Sequence, residues 1–139
     1  MISFNYEVAF KLHSEEQISK WISDVIQSED YKEGDINYVF CDDNYLHTLN
    51  VEFLNHDTLT DIISFDYSVG KELHGDVFIS VERVEENAKN FNVEFTEELN
   101  RVIVHGVLHY CGFKDKTEED ALLMRNKENH HLKQFSKIQ

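Results

Sequence analysis

Proline is absent from this chain, and so are internal repeats, low-complexity tracts and Gly/Ser-rich linkers. Nothing divides the 139 residues into separate units, and the length suits one compact domain around a single core. No apolar run approaches the roughly 20 residues that a membrane span needs. The start, MISFNYEVAFKL, alternates and carries acid, unlike a signal peptide. Cysteine occurs only at Cys41 and Cys111, in different segments. Two buried free thiols in a reducing compartment is the reading taken over a disulfide, and it places the protein in the cytoplasm. Cations are scarce as well: 13 Lys and Arg face 27 Asp and Glu, for a formal charge of -14. Such a surface repels nucleic acid at long range unless its charges are segregated. Residues 114 to 139 carry six of the cations against five acids, which is near neutrality rather than a basic patch.

What is present is enough to fold. Hydrophobic residues make up 41% and aromatics 12%, which fills a core and excludes a disordered chain. Ile2, Phe4, Tyr6, Val8, Phe10 and Leu12 alternate at period two, predicting a half-buried strand. Ser14 followed by Gln17 resembles a capping box, ahead of a helical stripe of Ile18, Trp21, Ile22, Val25 and Ile26. INYVFCD (36–42) predicts a second strand, and Asp43 or Asn44 can cap a helix bearing Leu46, Leu49 and Phe53. DIISFDY (61–67) and GDVFISV (75–81) predict a central, hairpin-like pair of strands. A helix follows from about Glu82 to Phe91, and another starts at Thr96 with Leu99, Val102, Ile103, Gly106, Val107 and Tyr110 buried. Gly112 is placed to end it in a left-handed cap, and Thr117 with Asp120 opens a last helix toward Phe135. The order β-α-β-α-β-β-α-α-α predicts a single α+β domain, with helices packed on a small mixed sheet of about four strands.

The stretch HGVLHYCGFKD (105–115) carries the chemistry. His105 and His109, four apart, project from one helical face about one turn apart and can reach one ion. Gly112 lets the chain reverse, so that Asp115 can return to the same ion, in the H-x-x-x-H-x-x-G-x-x-ligand spacing of the long zincin motifs. Three protein ligands leave a fourth position open, as catalytic rather than structural zinc sites do. Ordinary helix histidines are the alternative. Zinc peptidases with this spacing place a glutamate after the first histidine as general base. Gly106 stands there and cannot move a proton, which argues against peptidase chemistry while leaving a Lewis acid that can activate water.

With those residues in view, the chain resembles the YbeY family of bacterial rRNA maturation factors, which are metal-dependent endoribonucleases. His105, Gly106, Leu108, His109, Gly112 and Phe113 fall in register with the family's H-G-x-L-H-L-x-G-Y-D-H motif. LNVEFLNHDTLTDIISFD is similar to a second family segment through Leu49, Asn50, Asp57, Thr60, Asp61, Ser64 and Phe65. HGDVFIS is similar to a third through Gly75, Asp76, Ile79 and Ser80, and Met124 and Glu128 extend the likeness. It covers about residues 46 to 128, with the N-terminal third matching only in pattern. The departures are specific. The family's third histidine ligand falls at Asp115, with Lys114 where aspartate is usual, and a carboxylate ligand should make the ion a weaker Lewis acid. The family's phosphate-contacting arginine falls on Leu54 and its lysine on His56, so Arg83, Arg101 or Lys114 becomes a candidate substitute.

The resemblance implies one YbeY-like metal-dependent hydrolase domain over 1–139, with one zinc ion on His105, His109 and Asp115 and the metal site at the C-terminal end of a central helix. It implies cleavage of single-stranded RNA in rRNA processing, metal-bound water attacking a phosphodiester, with His105 and His109 catalytic through the ion. Its expected partners are an rRNA precursor, the small ribosomal subunit and its proteins, and an Era-type GTPase, with no membrane. The rival readings are a ribosome-biogenesis binding factor with a structural metal, and an amide or ester hydrolase with a base from elsewhere. Asp61 and Asp76 read as turn carboxylates or as groups orienting a ligand histidine, and Thr60 and Ser64 as turn residues before phosphate binders. His130 and His131 read as solvated; His13, His47 and His74 have no partner at ligand spacing.

Overall fold

Alternation along the strands decides which face of the sheet each side chain meets. In the computed structural model, which describes residues 1–54 and 60–138, the elements run β1 (Ile2–Tyr6), α1 (Glu15–Ser28), β2 (Lys32–Cys41), α2 (Asp43–Leu54), β3 (Ile62–Asp66), β4 (Glu72–Ser80), α3 (Val81–Phe91), α4 (Phe95–Tyr110) and α5 (Glu118–Ile138). The sheet order is β1-β2-β4-β3, with β1 and β4 parallel to β2 and β3 antiparallel to β4. This is the α+β domain with a four-stranded mixed sheet that the element order predicts.

One face of the sheet presents Ile2, Ile36, Tyr38, Phe40, Leu73, Val77 and Ile79, and all are buried in the main core with α1, α4 and α5. The other face offers Cys41, Ile63, Phe65 and Phe78, which Leu46 and Leu49 of α2 cover. Helix α4 is the hub: Val102, Ile103, Val104, Val107 and Leu108 are all within the core, and Tyr38 Oη donates to the Ile103 carbonyl at 2.8 Å, tying sheet to helix. Cys41 and Cys111 are buried and unbridged, and burial raises each thiol pKa to about 12. Among the described residues no helix is long and apolar enough to cross a membrane.

Several details differ from the sequence expectation. Strands β2 and β4 begin at Lys32 and Glu72, ahead of the predicted 36 and 75. The first strand stops at Tyr6 instead of reaching Leu12: Glu7 N–H makes the last bond to β2, at 2.8 Å to the Phe40 carbonyl, and Phe10 N–H turns back to Val8. Leu12 is still buried, so the period-two pattern was kept by core burial after the ladder had ended. Ser14 caps α1 with no side-chain bond, so the Ser14–Gln17 box does not form. His131 is buried rather than solvated: its Nε2 lies 2.7 Å from Glu29 Oε2, and its carbonyl accepts from Trp21 Nε1 at 3.1 Å. His56 and Asp57 lie outside the described residues.

Candidate metal centre

The site is built at the end of α4 and on the turn beyond it. Gly112 takes φ +94°, donating to the His109 carbonyl at 3.0 Å, while Phe113 N–H reaches the Leu108 carbonyl at 3.2 Å. Those two bonds form a Schellman cap, whose left-handed residue suits glycine because it has no Cβ. The cap reverses the chain and carries Asp115 back over the last turn of the helix.

His105 Nε2, His109 Nε2 and Asp115 Oδ2 then form a nearly equilateral triangle. The two ring nitrogens are 3.0 Å apart, and the carboxylate oxygen is 3.2 Å from one and 3.3 Å from the other. A tetrahedral ion with ligands at about 2.0–2.1 Å holds its donor atoms about 3.3–3.4 Å apart, so the triangle is close to one face of such a polyhedron. The far side of each ring is also engaged. His105 Nδ1 lies 2.6 Å from Glu128 Oε2, and His109 makes a backbone hydrogen bond at Phe113. Protonation of those outward nitrogens leaves two Nε2 lone pairs and a carboxylate converging on one point, an arrangement that a cation relieves. Two imidazoles and one carboxylate suit zinc or a neighbouring transition ion better than calcium or magnesium, which prefer all-oxygen shells.

Glu128, from α5, is held from both sides. Arg101 donates from one guanidinium nitrogen to Glu128 Oε1 at 2.9 Å and from the other to Asn129 Oδ1 at 2.9 Å. Burial works against the Glu128 carboxylate, but the hydrogen bonds from His105 and Arg101 outweigh it and lower its pKa. Burial likewise opposes a charge on His105, yet Glu128, Asp115 and Asp61 together raise its pKa. His109 moves the other way, lowered by burial and by its neighbour His105.

Around the triangle opens a cavity of about 420 Å³, whose walls include Thr60, Asp61, Ser64, Glu98, Arg101 and Arg125. Asp61, on the strand side, keeps a raised pKa through burial; its carboxyl bonds to its own backbone, and its carbonyl accepts from Ser80 N–H at 3.0 Å. Glu98 is buried, with its pKa raised by burial and then by Asp61. Thr60 Oγ1 donates to the Ile62 carbonyl at 3.3 Å, the local turn bond expected of it. Asp76 sits within β4 opposite Phe65 and is not among the cavity walls. Arg83 is engaged elsewhere, donating to Asp43 Oδ2 at 2.9 Å, and Lys114 does not line the cavity. Glu98 and Arg125 were missed as candidates from sequence. Glu98 carried a signal, an acid on the buried face of α4 about two turns ahead of His105.

Similarity to known proteins bears on the family and the fold. A family model described as Endoribonuclease YbeY matches residues 3–136. Relatives named Endoribonuclease YbeY include one from Flavobacterium johnsoniae, 64% identical over 97% of both chains. Another, from Christiangramia forsetii, is 54% identical over 96% of this chain and 94% of its own. Among solved structures, TM1509 from Thermotoga maritima superposes with a TM-score of 0.69 at 26% identity, over 97% of this chain and 89% of that one.

Proposed function

The chain belongs to the YbeY endoribonuclease family, and from that premise we propose that it is a zinc-dependent, single-strand-specific endoribonuclease of rRNA processing. The observation that carries the metal is the triangle of His105 Nε2, His109 Nε2 and Asp115 Oδ2, with sides of 3.0 to 3.3 Å. Residues 1–139 act as one metal-dependent hydrolase domain in this reading.

When bound, the ion supplies Lewis acidity, which activates water near neutral pH and stabilises charge on a phosphoryl oxygen. The protein's own residues do the rest. Glu128 fixes the ring of His105 through Nδ1, and the backbone at Phe113 fixes that of His109. Proton transfer falls to Asp61, because residue 106 has no side chain and Asp61 offers a carboxyl in the same cavity with no side-chain hydrogen bond among the described residues. The substrate is an rRNA precursor met on the small ribosomal subunit in the cytoplasm, with an Era-type GTPase as a further partner. An acidic protein reaches that RNA by docking on a basic ribosomal protein.

A second reading, a biogenesis binding factor with a structural metal, is favoured by the acids that crowd the cavity: Asp61, Glu98, Asp115 and Glu128. One experiment separates the two. Protein purified with zinc available should carry one equivalent, Asp115→Ala should carry much less, and His109→Ala should lose cleavage of a defined rRNA precursor. A zinc-supplied protein with no stoichiometric ion would sink the metal reading. Cleavage surviving unchanged in His109→Ala would mark a contaminating nuclease and leave the binding factor standing.

A further inference from the structure

Any phosphodiester that enters this cavity approaches four carboxyl groups: Asp61, Glu98, Asp115 and Glu128. With all four ionised, a divalent ion and two guanidinium groups bring the cavity to neutrality and no further. The cations on its walls therefore decide whether RNA can enter, and the structure treats the two arginines differently.

Arg101 has both arms committed, one to Glu128 and one to Asn129, and its side chain is 15% exposed. It serves to hold the carboxylate behind His105. Arg125, one turn before Glu128 on the same face of α5, is 57% exposed. Its nearest acid among the described residues is Glu128 Oε1 at 3.8 Å, too long for a hydrogen bond. Its five N–H donors have no hydrogen-bond acceptor among the described residues and lie at the mouth of the cavity. The neighbouring Lys127 is not a competitor, since it donates to both carboxylate oxygens of Glu29 at 3.0 and 3.1 Å.

A guanidinium presents paired N–H groups that match the two non-bridging oxygens of a phosphodiester. The geometry points to Arg125 as the residue that grips an RNA phosphate at the cavity mouth while the rest of the site acts on the chain. The assignment rests on the endoribonuclease reading above and adds to it the group that recognises the backbone.

The test uses the zinc-loaded full chain with a short single-stranded RNA. Anisotropy gives affinity across roughly 50 to 200 mM salt, and steady-state cleavage gives KM and kcat for wild type, R125Q, R125K and K20Q. K20Q removes the same charge from an exposed position on α1 and serves as the control. R125Q should weaken binding and raise KM about tenfold or more, with kcat little changed and zinc content equal to wild type. Its log affinity against log salt should differ in slope from K20Q by about 0.7, the share of one phosphate contact on a single strand. R125K should recover part of the affinity. R125Q matching K20Q in KM, affinity and slope would overturn the assignment, as would loss of zinc from R125Q, which would mark Arg125 as support for Glu128. Wild-type protein that neither binds nor cleaves the RNA would overturn the endoribonuclease reading itself and this assignment with it.

Discussion

A Cβ placed on Gly106 would stand 3.1 Å from both Ile62 Cδ1 and Val77 Cγ1, because α4 crosses β3 and β4 closely at this point. From sequence this glycine reads as a missing general base on the buried face of its helix; in the fold it faces the sheet rather than the triangle of His105, His109 and Asp115, so a glutamate there would be crowded and poorly aimed. Glu128 is the opposite case. Sequence counted it as part of a likeness, 23 positions from His105, and nothing in its spacing announces a contact across two helices. Yet it is the group that sets the tautomer and angle of His105. Glu128→Gln keeps the size but loses the charge that holds the Nδ1 proton. We expect zinc affinity to fall about 10- to 100-fold, measured by competition with a chromogenic chelator, with far-ultraviolet circular dichroism unchanged. Affinity within twofold of wild type would show that the 2.6 Å contact does not tune the ligand.

At the scale of elements, the order and type of all nine were legible because core burial and secondary structure share a period in most of them. They part company where burial outlasts the ladder, as at Leu12, and where a polar residue belongs to a buried stripe. In α5 the inward positions are Met124, Glu128, His131 and Phe135, at helical spacing, and two of the four are polar. Counting only apolar residues hides that stripe, which is why His131 read as solvated. Its surroundings are specific: Trp21 stacks on Phe135 with ring centroids 4.3 Å apart, and Glu29 takes the imidazole bond together with Lys127. Burial lowers the His131 pKa below 6.5 despite Glu29, while the His131 and Lys127 hydrogen bonds outweigh burial and lower that of Glu29. Both folded values lie under the unfolded ones, so the unfolded chain binds more protons and stability is lost as pH falls. The His131 share is lost first, below its unfolded value of 6.5, and the Glu29 share only below 4.5. The midpoint of urea unfolding should therefore drop between about pH 7 and pH 5, and His131→Gln should lessen that drop. An equal drop in both proteins would show that His131 is not buried in its neutral form.

For the whole molecule, the charge of -14 and the RNA-directed chemistry pull in opposite directions. The sequence poses this conflict without resolving it, because no segment is a basic patch. The structure narrows it: of the two cations on the cavity walls among the described residues, Arg101 is spent on Glu128 and Asn129, and Arg125 remains. One available guanidinium suits gripping RNA already delivered and does not suit capturing it from solution against long-range repulsion. In the proposed reading, delivery then belongs to a surface of opposite charge, which on a ribosomal subunit would be a basic protein rather than the RNA itself. The two modes respond differently to ionic strength. Docking on purified small subunits should weaken steeply between roughly 50 and 200 mM salt, whereas binding to free single-stranded RNA should be weak at low salt and far less sensitive. Co-sedimentation of the zinc-loaded protein with subunits, run beside anisotropy with free RNA, reads both. Subunit binding that ignores salt, or free RNA bound as tightly as the subunit, would show that the acidic surface is not what brings this protein to its substrate.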